Sequence, residues 1–222
     1  MTLRAVANVL LSSLFEPPCA ACARVLAHPL DGAVCEQCWA SVRLAAPLTE
    51  YPRGHAIQWA CAVDHYEGRL RDIIHALKYE RRRSIAKPLG SLMRERGAAL
   101  LGGADLVVPV PLHPRRERDR GFNQADDLAR QLGLPVVPLL RRVRYTTSQI
   151  ELPADARHQN VRDAFRLDRL PTADSPLPGV IVLVDDVSTT GATLDACARV
   201  LKRGGVREVR ALTAARVVTG RR

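Results

Sequence analysis

The sequence is poor in aromatic side chains: phenylalanine, tryptophan and tyrosine together make up 4% of it. That scarcity argues against a base-stacking platform of the usual single-strand-binding kind. No apolar run approaches the ~20 residues that a membrane-spanning helix needs. No G-x-G-x-x-G is present, and no lysine follows the glycine of a phosphate-type loop, so neither the dinucleotide fingerprint nor the Walker loop is here. Internal repeats and low-complexity tracts are lacking as well. Acidic residues are outnumbered, 23 against 33 lysines and arginines, for a net charge of +10. Such a surplus suits a polyanion, either nucleic acid or a pyrophosphorylated sugar, and equally suits a merely arginine-rich proteome. Apolar residues make up 47% of the 222 positions, which excludes wholesale disorder and is enough for a real core.

Residues 180–193, VIVLVDDVSTTGAT, organise the rest. Five consecutive apolar residues without alternation predict a strand buried on both faces, as in a parallel sheet. Asp185 and Asp186 stand where that strand ends. Ser188, Thr189, Thr190 and Gly191 follow, and a helical pattern runs from Ala192 and Thr193 to Arg203. The loop therefore opens onto a helix N-terminus, whose unpaired N–H groups and dipole favour an anion. A phosphate fits the loop, but adjacent carboxylates repel one unless they face something else, such as sugar hydroxyls or a divalent cation. A phosphorylated ribose satisfies both halves. The competing reading is a core strand, an exposed acidic turn and a threonine-capped helix.

Two C-x-x-C pairs, Cys19 with Cys22 and Cys35 with Cys38, are separated by twelve residues. Four thiolates at this spacing can surround one Zn²⁺ in a closed, structural site. The alternatives are disulfides, which need an oxidising compartment that nothing here indicates, or a redox pair, which needs no second copy. Cys61 and Cys197 fall outside the pattern and read as small core residues.

The remaining chain alternates helices and strands. Residues 3–15 carry apolar positions at helical spacing and read as a packing helix in preference to a signal peptide, which implies a cytoplasmic protein. Residues 44–53, with two prolines, read as a linker. Ile57, Trp59, Cys61 and Val63 predict a strand; Leu70, Ile73, Ile74 and Leu77 mark one face of a helix over 70–79. A further helix is expected over 84–101. Residues 105–111 predict a second buried strand, leading into a loop at 112–121 that holds Arg115, Arg116, Arg118 and Arg120. Clustered guanidiniums there suit a pyrophosphate or a nucleic-acid backbone, or simply a solvated charge run. A helix through Leu132 follows, and 206–214 reads as the last strand.

The 180–193 stretch resembles the phosphoribosyl-pyrophosphate (PRPP) motif of type I phosphoribosyltransferases. Adding the paired C-x-x-C, the stretches IHALKY (74–79) and PVPLHPRRERDRGFNQA (109–125), and R-x-R-x-T-x-x-Q (142–149), the whole chain is similar to the ComF family, whose members include proteins of natural DNA transformation. The resemblance implies an α/β, type I phosphoribosyltransferase-like, doubly wound parallel sheet over 56–222. It also implies a small N-terminal zinc-binding knuckle over 1–46 and a linker over 47–55. Asp185 and Asp186 would take the ribose hydroxyls as the catalytic acids, with Mg²⁺ brought by the pyrophosphate. Ser188, Thr189, Thr190, Gly191, Ala192 and Thr193 would hold the 5′-phosphate, and Arg115, Arg116, Arg118 and Arg120 the pyrophosphate or nucleic acid. The implied partners are PRPP or a related ligand, single-stranded DNA and competence proteins. Both a PRPP-dependent transferase of open acceptor and a non-enzymatic DNA-binding or PRPP-sensing adaptor fit this pattern.

Overall fold

The computed structural model describes residues 2–42, 49–51, 54–144, 163–168, 172 and 177–217. In chain order these contain α1 (Leu3–Phe15), α2 (Glu36–Ala40), β1 (Thr49–Glu50), β2 (Trp59–His65) and α3 (Gly68–Tyr79). Next come α4 (Ala86–Arg96), α5 (Ala98–Leu101), β3 (Leu106–Pro109), α6 (Pro114–Arg120) and α7 (Gln124–Ala129). The C-terminal part holds β4 (Leu140–Arg142), β5 (Phe165–Leu167), β6 (Val180–Ser188), α8 (Ala192–Arg203) and β7 (Glu208–Arg216).

The sheet has the order β1-β2-β7-β6-β3, with β2, β7, β6 and β3 mutually parallel and β1 antiparallel on β2. The strand β6 is paired on both edges, and Val180 through Val184 are all buried. Its alternate side chains enter different layers. Val182 and Val184 pack with Ile73 and Ile74 of α3, Leu89 of α4 and Leu128 of α7, whereas Ile181 and Leu183 pack with Leu194, Ala198 and Leu201 of α8. Each such side chain contributes about 1.5–3 kcal/mol by leaving water. This two-sided cover is why the stretch is apolar without alternation.

The predicted stripe of α3 is intact, since Leu70, Ile73, Ile74 and Leu77 are all buried. The helix expected over 84–101 is broken at Gly97 into α4 and α5; a Cβ at Gly97 would lie 2.6 Å from the Leu212 side chain of β7 and 2.9 Å from the Met93 carbonyl oxygen, so the close approach there requires glycine. The loop expected over 112–121 is largely helix. Pro114 begins α6, the His113 imidazole accepts the Arg115 N–H at 3.2 Å, and Gly121 ends it at φ 82°. The next helix stops at Ala129, short of the expected Leu132. Beyond β3, β4 and β5 form a separate antiparallel pair that periodicity did not predict.

The four-cysteine segment packs on this body directly. Cys19, Leu26, Val34, Cys38 and Val42 share a buried cluster with the apolar face of α3, and the Arg69 guanidinium donates to the Ala21 carbonyl at 2.6 Å. Of the expected linker, residues 49–50 are strand β1, while 47–48 and 52–53 lie outside the described residues. No helix among the described residues is long and apolar enough to cross a membrane.

Candidate functional site

The C-terminal ends of β3 and β6 border a pocket of about 350 Å³. Asp185 and Asp186 form its floor, and the Asp186 N–H donates to Asp185 Oδ1 at 2.8 Å. Asp186 is nearly buried, and its Oδ1 lies 2.7 Å from Nζ of Lys78, near the end of α3. Burial disfavours the lysine's charge, but Asp186 and then Asp185 outweigh it and hold its pKa above the ordinary value. Asp185 moves the other way from most surface carboxyls: burial, then the charge of Asp186, raises it to about 7, with Lys78 opposing. One carboxylate is thus locked in an ion pair, and the other is poised near neutrality.

From the α8 side, Thr189 and Thr193 line the same pocket. Gly191 adopts φ 76° as the residue before α8, so the chain turns sharply into the helix. The helix α8 presents its N-terminus here, and Ala192, its first residue, is buried. Ser188 and Thr190 line an adjoining pocket of about 240 Å³ together with Tyr51 and His55. Tyr51 hydrogen-bonds Ser188. Its hydroxyl oxygen lies so near Gly191 that a Cβ there would overlap it. Asp195, one turn into α8, accepts the Ala56 N–H at 2.7 Å and pairs with Arg199 at 2.8 Å, anchoring the segment that carries Tyr51 and His55.

The arginine cluster divides. Spacing of four residues on α6 puts Arg116 and Arg120 into the pocket wall, whereas Arg115 and Arg118 are exposed and outside its lining. The guanidinium of Arg120 sits 5.0 Å from the Tyr79 ring centroid. Arg142, from β4, completes the cationic wall over the Phe165 ring at 5.3 Å. Burial, and then the charge of Arg116, lowers its pKa. Six of the residues expected from sequence therefore meet in one pocket: Asp185, Asp186, Thr189, Thr193, Arg116 and Arg120. Sequence reasoning did not single out Lys78, Gln124 or Tyr51, and it met Arg142 as the first residue of the R-x-R-x-T-x-x-Q stretch. The R-x-R-x-T-x-x-Q stretch beyond Arg144 lies outside the described residues.

The second constellation is the cysteine cluster. The ligand sulfurs of Cys19, Cys22, Cys35 and Cys38 all lie within 4.8 Å of one another, with Cys19–Cys38 at 3.9 Å and Cys22–Cys35 at 3.8 Å. Tetrahedral coordination at a Zn–S length of about 2.3 Å requires sulfurs about 3.8 Å apart. A disulfide needs about 2.05 Å, and all four cysteines are free. Backbone N–H groups of Cys35 and Ala21 donate to the Cys19 sulfur at 3.3 and 3.5 Å, and hydrogen bonds from Arg24 lower the Cys22 thiol to about 6. Burial, first of all, pushes the Cys38 thiol up, so the stabilising donors act on Cys19 and Cys22; the four converging sulfurs could hold a metal such as zinc. Cys61 and Cys197 are buried elsewhere, as core residues.

The phosphoribosyl transferase domain family matches residues 118–222. The chain is 35% identical over 208 residues to the DNA utilization protein YhgH of Salmonella typhimurium, covering 86% of each chain. It is 34% identical over 157 residues to competence protein F of Haemophilus influenzae, covering 66% of this chain and 68% of that one. Among solved structures, the orotate phosphoribosyltransferase from Aeropyrum pernix matches at 21% identity and a TM-score of 0.37, over 66% of this chain and 76% of that one.

Proposed function

From the premise that the chain belongs to the ComF family, we propose that it binds PRPP in the pocket at the end of β6. The observation that carries this reading is the meeting, in one pocket, of the acidic pair, the hydroxyls at the start of α8 and the Arg116, Arg120 and Arg142 guanidiniums. The ribose hydroxyls donate to Asp185 and Asp186, the 5′-phosphate lies on the loop from Ser188 to Thr193, and the pyrophosphate faces the arginines, bringing Mg²⁺ with it. Stabilising a departing pyrophosphate and an electron-poor sugar is electrostatic work, and this wall of cations suits it without any protein nucleophile. Zinc occupies the four-cysteine knuckle as a structural ion. The setting is the cytoplasm, in DNA uptake alongside competence proteins, with single-stranded DNA following the exposed arginines Arg115 and Arg118 of α6.

The divided cluster supplies the test. Arg116→Ala with Arg120→Ala should weaken PRPP·Mg²⁺ binding by about tenfold or more in calorimetry, because charge-assisted contacts to a polyanion are lost. Arg115→Ala with Arg118→Ala should leave PRPP affinity unchanged, lower single-stranded DNA affinity and flatten its salt dependence. Equal effects of both pairs on PRPP would sink the assignment of the pocket. DNA affinity untouched by Arg115 and Arg118 would remove DNA from this face.

A further inference from the structure

Gln124 is the first residue of α7 and is 1% exposed, yet its Nε2 finds no acceptor among the described residues. It lines the pocket that holds Asp185, Asp186 and Lys78. Its neighbour Asn123 is fully used by the fold: Oδ1 accepts the Ala125 N–H at 3.1 Å and Nδ2 donates to the Val110 carbonyl at 3.1 Å. Those two bonds pin the start of α7 to the end of β3 and so fix where Gln124 stands. A side chain needed only to fill space there would be leucine or methionine. Either gives the same length without the desolvation of an amide. Buried donors without partners are rare in folded proteins and cost stability unless something supplies the acceptor.

The position limits what that acceptor is. Leu128 and Ala129, later on α7, pack with Val182 and Val184, whereas α8 packs with Ile181 and Leu183 on the other face of β6. The hydroxyl-bearing loop before α8 therefore reaches a ligand from one face of the sheet, and Gln124 and Lys78 from the opposite one. Beyond the acidic pair, the titratable groups that line the pocket are Lys78, Arg116, Arg120, Arg142 and the Tyr66 and Tyr79 phenols. A neutral amide among four cations adds a directed donor to an anionic oxygen without adding repulsion between like charges.

We propose that Gln124 is a ligand contact that donates to an oxygen of the diphosphate end of the phosphoribosyl ligand. This rests on the PRPP reading of the pocket and adds to it a residue that separates diphosphate-bearing ligands from monophosphates.

The probes are inorganic pyrophosphate, PRPP and ribose 5-phosphate, each with Mg²⁺, titrated into the full chain and into Gln124→Met and Gln124→Glu. Thermal melting is recorded without ligand. Gln124→Met should melt at or above the wild-type temperature, since an unmatched buried donor is removed. The same variant should bind pyrophosphate and PRPP about tenfold more weakly while ribose 5-phosphate affinity holds. Gln124→Glu should lose more, because a carboxylate then faces the anion. Gln124→Met that melts lower with all affinities unchanged makes this a core residue and overturns the proposal. An equal loss for ribose 5-phosphate overturns the diphosphate assignment. Wild-type protein that binds pyrophosphate through Gln124 but refuses PRPP keeps this contact and removes the PRPP reading; wild type that binds none of the three removes both.

Discussion

Replacing Lys78 with methionine is expected to destabilise the protein by about 3–5 kcal/mol, the usual consequence of leaving one partner of a buried ion pair uncompensated. The side chains of Lys78 and Asp186 are 14% and 11% exposed, so solvent screens their interaction little. Methionine keeps most of the lysine stem's packing, which isolates the loss of the ammonium. The sign of the pH dependence follows from the carboxyls. Asp185 in the folded chain already sits at about 7, above its ordinary 3.8, because of burial and Asp186. A carboxyl that is harder to ionise folded than unfolded takes stability away as pH rises through that window and returns it as pH falls. Without Lys78, Asp185 loses the cation that opposes its upward shift, so the deficit of Lys78→Met should be largest near pH 8 and shrink toward pH 5. Urea unfolding at the two pH values measures this. A deficit that does not change with pH would show that the acidic pair keeps one ionisation state across this range, against the reading of Asp185.

Cys35→Ser is expected to empty the knuckle of metal and to damage more than the knuckle. The wild-type chain should carry about one zinc by elemental analysis and the variant far less, since structural zinc binding in small peptides is worth about 10–16 kcal/mol and three ligands hold it much more weakly. Cys19, Leu26, Val34, Cys38 and Val42 are in the same buried cluster as Leu70, Ile73, Ile74 and Leu77. Melting the knuckle therefore uncovers one face of α3, the helix that ends beside Lys78. The variant should melt at a lower temperature and aggregate, and Cys61→Ser, outside the cluster of four, should keep its zinc. Metal-free wild-type protein with undiminished stability would overturn the assignment.

The parts legible in sequence were those whose signal is local. Unbroken apolar residues 180–184 told of a strand covered on both faces, and the spacing of four cysteines gave sulfurs that do converge. The apolar stripe of α3 was equally plain. Lys78 was not, because it lies off that stripe and periodicity reads such a position as solvent-facing. Its partner Asp186 is brought in by β6, from a distant part of the chain. Gln124 had the look of an ordinary polar residue at a helix start. Its enclosure comes from the packing of α7 on β3 and β6. The helix α6 is too short to show a period, and its arginines drew attention from Pro114 and Gly121, which are its start and stop signals. Tyr51 lies inside the stretch 44–53 that reads as a linker. Its reach to Ser188 and Gly191 is a contact between distant parts of the chain. Residues that join elements across the fold carry no local pattern, and these make up most of what was missed.

The most direct test is calorimetric titration of PRPP·Mg²⁺ into wild-type protein and into Asp185→Asn with Asp186→Asn, at pH 6 and pH 8. Binding to wild type should strengthen as pH rises, because the ionised form of Asp185, raised to about 7 by burial and Asp186, is the form that accepts from ribose hydroxyls. Ribose 5-phosphate should compete, since it retains the groups read by the acids and by the α8 loop. Each asparagine should weaken binding about tenfold or more, and the double variant should lose the pH dependence. Folded wild-type protein that does not bind PRPP, or a double variant that binds it as well as wild type, would contradict the account.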